Sequence, residues 1–181
     1  MKALSLAGCW LVACAGGAPE PVTSPVASPR PSASSTGLPA LPFRASDAMV
    51  RVYREVEQPA RLRPVREQEE QWVAETFLPW NEGRRRVIRE ALALRRTSTE
   101  PVPAVVAAAL LARLLEHTAR ELKMPQLSDE ATEAIRAPVP DLERRALQAY
   151  ESCHERALAA GSVVDGWRRY CGRGLARFER R

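Results

Sequence analysis

Between residues 43 and 181, apolar side chains recur every three or four positions, the period of a helix that buries one face. Ser46-Asp47 has the composition of a helix start, and Met49, Val52, Tyr53 and Val56 follow on one side. Pro59 and Pro64 interrupt the pattern. A second helix is predicted over 65–77 with Trp72 and Phe77 inward, and Pro79 breaks or kinks it. A third runs from Trp80 to about Arg96 on a stripe of Val87, Ile88, Ala91 and Leu92, and 97–101 is a loop. The fourth, 103–123, is the most apolar. Val106, Leu110, Leu111, Leu114, Leu115 and Leu122 cover a wide face, which makes it the central helix of a bundle. Ser128-Asp129 opens a short helix ending near Arg136.

The last two helices carry the clearest pattern. Leu142, Ala146, Ala149, Cys153 and Ala157 form one stripe, and Val164, Trp167, Cys171, Leu175 and Phe178 form another. Gly161-Ser162 turns the chain between them. Alternating strand runs and Asn-Gly pairs are absent from the sequence, and its one Asp-Gly pair, Asp165-Gly166, is not flanked by strand-like alternation. The predicted fold is all-α, a single helical bundle of about five or six helices over 43–181, following a disordered N-terminal tether.

Composition changes the picture at the N-terminus. Lys2 precedes the short apolar stretch 3–13, which has the layout of an export signal and is too short to span a bilayer, a task that takes roughly 20 apolar residues. No later segment is expected to span one, because Val102–Ala112 contains Pro103 and is followed by Arg113, Glu116 and His117. Leu11-Val12-Ala13-Cys14 resembles the lipobox of bacterial lipoproteins, in which the signal is cut before a cysteine that carries diacylglycerol. Leu6-Ala7-Gly8-Cys9 fits the same pattern but would leave a shorter signal, so Cys14 is the expected lipidation site. The resemblance implies a signal peptide at 1–13 and a mature chain beginning at Cys14, anchored in the membrane through its lipid. Ala15 after the cysteine, where aspartate is associated with inner-membrane retention, implies the outer membrane.

From Cys14 to Pro42 the chain reads as a linker. Pro19, Pro21, Pro25, Pro29, Pro31, Pro39 and Pro42 are spaced by serines and alanines, so no core can form there. At roughly 3.1 Å per residue such a segment reaches on the order of 85 Å. Export would also place the remaining cysteines in an oxidising compartment. Cys153 and Cys171 lie at equal distances on either side of the 161–162 turn, on facing apolar stripes, and are predicted to form a disulfide. Two free thiols or a metal site are the alternatives.

Candidate chemistry is sparse. The formal charge of +5 is a mild excess, and Lys2 and Lys123 are the sole lysines among 27 basic residues. Arg84, Arg85, Arg86 and Arg89 form the densest charge run, read as a solvated helix face or as a contact for an anionic surface or an acidic partner. Trp72 and Trp80 flank Pro79 and are candidate edges of a groove for peptide or lipid. His117 is expected in a solvated or capping role, and His154 on a helix surface. Neither fits a zinc or haem signature, and no serine-nucleophile elbow or phosphate-binding glycine loop occurs in the sequence. The sequence therefore predicts no catalytic residue, cofactor or metal, and no nucleic-acid partner. The expected function is a non-enzymatic binding, scaffold or assembly module of the cell envelope with an envelope protein as partner. Lipid or small-ligand binding in an inter-helix groove is the second reading, and a cell-wall-acting enzyme with a dispersed site the third.

Overall fold

Helix α1 (Asp47–Glu57) begins where its sequence says it should, because the Ser46 hydroxyl accepts the Met49 N–H at 3.3 Å and caps the first turn. This computed structural model describes residues 37–65 and 68–180. The signal segment 1–13, Cys9, Cys14 and the linker up to residue 36 lie outside the described residues. Six more α-helices follow: α2 (Glu69–Trp72), α3 (Leu78–Thr97), α4 (Pro101–Leu122), α5 (Asp129–Arg136), α6 (Val139–Ala160) and α7 (Asp165–Glu179). No strand occurs among the described residues, so the fold is all-α as predicted.

The second and third predicted helices are one continuous rod rather than two. A π-helical turn, Val73–Phe77, joins α2 to α3, and the Leu78 N–H reaches back to the Val73 carbonyl. The extra residue in that turn widens the helix just before Pro79. Proline lacks an N–H and its ring crowds the preceding turn, so a widened turn accepts it where a regular one would break.

α4 is the central helix. Its length and hydropathy would let it cross a membrane, contrary to expectation from Pro103 and the following charges. Pro103 sits in the first turn of the helix, where its missing N–H has no partner to lose, so it does not interrupt the run. In the fold, 83% of its most apolar window is buried, and α1, α3, α6 and α7 all pack on it. Many of its buried residues are small (Ala107, Ala108, Ala109, Ala112), which lets α6 approach closely. The main core spans α1, α4, α6 and α7, and a second cluster of Trp72, Ala119, Leu122, Ile135 and Val139 forms at the far end of α4.

The disulfide joins Cys153 to Cys171 across the α6–α7 hairpin, with both residues fully buried. Gly161 makes the turn with φ +77° and ψ −167°, a backbone region that glycine alone adopts readily. Packing begins earlier than residue 43. Leu38 is buried in the main core, Leu41 packs against it, the Tyr53 hydroxyl donates to the Pro39 carbonyl at 3.1 Å, and the Trp167 indole donates to the Ala40 carbonyl at 3.2 Å. Two leucines set among the prolines supply the apolar surface that a composition average conceals.

Candidate functional site

The last two turns of α4 place four ionisable side chains close together: Glu116, His117, Arg120 and Glu121. They divide between two sides of the helix. Glu116 points at α6 and α7, where its side chain is fully buried. Arg177 donates to both of its oxygens, Nε to Oε1 at 3.0 Å and Nη2 to Oε2 at 2.8 Å. The Tyr150 hydroxyl donates to Oε2 at 2.8 Å, and Arg113 approaches it at 3.1 Å. Burial alone would raise the Glu116 pKa, but the hydrogen bonds from Arg177 and Tyr150 and the charges of Arg177 and Arg113 hold it at about 2. The Tyr170 hydroxyl is buried beside this group, and burial pushes its pKa up to about 12. Gly174 makes room for the arrangement, since a Cβ there would collide with the Tyr150 ring.

His117 and Glu121 point the other way, toward an irregular strap that leaves α1 and crosses the end of α4. The strap is held by its backbone. Glu121 accepts the Leu62 N–H at 2.8 Å, the Trp80 indole donates to the Ala60 carbonyl at 3.0 Å, and the Trp72 indole donates to the Arg63 carbonyl at 3.1 Å. Arg84 adds a bond to the same Ala60 carbonyl at 2.6 Å while its guanidinium lies over the Trp80 ring, 5.4 Å from the centroid. Burial pushes the Arg84 pKa down, against the opposing charges of Glu55 and Glu121.

Between strap and helix lies a cleft of about 740 Å³. Its walls are Arg61, Leu62, Arg63, Pro64 and Val65 on one side, and His117, Arg120, Glu121, Met124, Pro125 and Gln126 on the other. The His117 side chain is only 11% exposed, its Nε2 lies 3.5 Å from Glu121, and its Nδ1 is buried with no hydrogen-bond partner among the described residues. Burial, reinforced by Arg84, Arg113, Arg120 and Arg61, pushes its pKa down to about 4, so the ring is neutral at pH 7. The cleft therefore offers guanidinium groups, an imidazole nitrogen and apolar surface. Glu121, its one carboxylate among the described residues, is already occupied by the strap. Among the described residues, no three His, Cys, Asp or Glu side chains converge as metal ligands do.

Several predicted positions take other roles. Trp72 is fully buried in the second core cluster, so it does not edge a groove. Both indoles instead fasten the strap from behind. A separate groove of about 540 Å³ does flank the π-helical turn, lined by Val73 and Phe77 with Leu122 and Ile135. Arg84 is only 3% exposed and belongs to the strap's support, which removes it from any surface contact. Arg85, Arg86 and Arg89 do stand exposed on α3. His117 is enclosed rather than solvated, because Glu121 and the strap cover it. His154 is partly buried against α7, near Gly172.

Glu116, Tyr150, Tyr170 and Arg177 went unnoticed in the sequence as a group. One signal was present: Val105, Ala109, Ala112, Glu116 and Ala119 share a helix face, and an acid in the middle of a buried stripe demands a partner. No protein-family model, curated protein or solved structure matches this chain.

Proposed function

We propose that this protein is a lipoprotein of the cell envelope, anchored at the outer membrane through Cys14, whose all-α domain is a non-enzymatic binding module. The Leu11–Cys14 pattern supports the anchor, and a buried Cys153–Cys171 disulfide suits an oxidising compartment. The cleft beneath the strap carries the binding reading. It is preformed, its size falls within the roughly 300–1,000 Å³ typical of ligand sites, and polar and apolar groups converge on it. Hydrolysis of cell-wall sugars would call for two carboxylates flanking a bond. Among the described residues the cleft wall has one, bound to the Leu62 N–H.

The module can meet a protein or a small ligand, and different surfaces serve the two. A scaffold role uses the outer face of α3, where Arg85, Arg86 and Arg89 are exposed. A ligand role uses the cleft, where Arg61, Arg63 and Arg120 stand beside Leu62, Val65 and Met124.

Two measurements test these readings. Feeding cells an alkyne fatty acid should label the protein, and the Cys14→Ser variant should lose the label; an exported, unlabelled chain would end the anchor. Mild crosslinking in native membranes should capture an envelope partner if α3 is the working face. Capture that survives Arg85→Ala/Arg86→Ala/Arg89→Ala would remove that face from consideration.

A further inference from the structure

The cleft holds more positive charge than its surroundings neutralise. Arg61 and Arg63 are exposed on the strap and pair with no carboxylate among the described residues. Arg120 reaches only Glu116, at 3.4 Å, and that carboxylate is already satisfied by Arg177, Tyr150 and Arg113. The cations are not needed to neutralise the end of α4 either. Arg136 does that, donating to the Lys123 carbonyl at 3.0 Å and the Pro125 carbonyl at 3.4 Å. The low pKa of His117 records the same crowding of cations from another position.

The cleft also offers apolar surface. Leu62 and Val65 face it from the strap, and Met124 stands at its wall 69% exposed, one of the few large apolar side chains left in solvent. Met adapts its shape to a flexible ligand better than other apolar side chains do. At about 740 Å³ the cleft is the size of a small-molecule site, roughly 300–1,000 Å³.

We infer that the cleft binds a single-tailed amphiphile with an anionic head, carboxylate or phosphate. The head pairs with Arg61, Arg63 and Arg120, and the tail lies on Leu62, Val65 and Met124. Two guanidinium groups on a strap fixed by its backbone can fork onto a carboxylate or phosphate without reordering the fold. The inference rests on the cleft being a binding site and is independent of the acyl anchor.

Calorimetric titration of the full chain tests it, with Cys14→Ser so that no acyl chain of its own competes. The probes are octanoate, octyl phosphate, 1-octanol and inorganic phosphate. At least one of the charged amphiphiles should bind about tenfold or more tighter than both 1-octanol and inorganic phosphate. Preference for octyl phosphate points to a phospholipid-derived ligand, and preference for octanoate to a free fatty acid; either supports the inference. Arg61→Ala/Arg63→Ala should weaken the charged amphiphile about tenfold or more, while Arg96→Ala at the exposed end of α3 leaves it unchanged. Met124→Ser should weaken octanoate and leave inorganic phosphate as it was. Failure of every probe to bind, a head or tail fragment binding as tightly as the whole amphiphile, or equal losses with Arg96→Ala would overturn it. If octanoate and octyl phosphate both fail while a crosslinked partner is captured, the amphiphile falls and the binding module stands.

Discussion

Glu116 shows what one misplaced charge costs and how this fold meets the cost. A buried carboxylate is tolerated only with partners, and here Arg177 and Tyr150 supply them from α7 and α6. Glu116→Gln should destabilise the domain by about 3–5 kcal/mol, because it strands a partly buried guanidinium and a buried hydroxyl. Urea unfolding at pH 7 checks the size, and a loss below about 1 kcal/mol would mean that the group is dispensable. The pH dependence follows from the depressed pKa. Stability from Glu116 is complete above the ordinary carboxylate value and is lost as pH falls through about 2. His117 acts in a higher window. It is held near 4 against about 6.5 for a free histidine, so between those values the unfolded chain binds the extra proton. Stability should therefore fall as pH drops from about 6.5 to about 4, and His117→Gln should flatten that slope in urea midpoints taken across the range. An unchanged slope would show that His117 titrates normally. The sequence made neither residue conspicuous. Charged neighbours made the end of α4 look solvated, and the covering strap comes from a segment some sixty residues earlier, as the 59-residue separation of Leu62 and Glu121 shows.

At the level of elements, local pattern and tertiary outcome agree wherever an apolar stripe and a cap coincide. α1 and the α6–α7 pair follow their stripes, and Ser46 and Ser128 cap as their positions suggest. The departure is at Pro79, where the sequence predicts a break or a kink and the helix runs on through a π-helical turn. Sequence periodicity assumes 3.6 residues per turn and has no signature for a single wider turn. The π-helical turn makes a further prediction. Proline inside a regular helix costs about 3 kcal/mol, so relieving it should return a similar amount. Pro79→Ala should instead change stability by less than about 1 kcal/mol, because the widened turn already accommodates the ring. A gain near 3 kcal/mol by urea unfolding would mean that the rod is strained at Pro79. The strap was harder to read. It lacks periodicity, and its order comes from the Trp72 and Trp80 indoles, which the sequence presents as surface or core but not as fasteners.

The whole molecule depends on two cores linked through α4 and one covalent closure. The disulfide was legible because symmetry about Ser162 and matching apolar stripes placed two cysteines opposite each other. With a sequence separation of 18, the chain-entropy model assigns the bridge roughly 3 kcal/mol. Cys153→Ala/Cys171→Ala should lower stability by about that amount, with some addition for the lost packing of buried sulfur. Intact mass after alkylation, with and without reductant, verifies the bridge in the parent chain; two alkylated thiols without reductant would refute it. The extent of the domain was less legible. Leu38 and Leu41 are part of the packed structure although their neighbours have the composition of a linker.

The arm at Pro39 and Ala40 is gripped by Tyr53 and Trp167, and Trp167 lies one helical turn from Cys171. Tension applied to the amino-terminal chain thus enters the domain beside its covalent cross-link and passes directly into a hairpin that cannot unzip. Trp72, Trp80 and Glu121, which hold the strap, make none of these contacts, so a pull of that kind should spare a ligand of the proposed type.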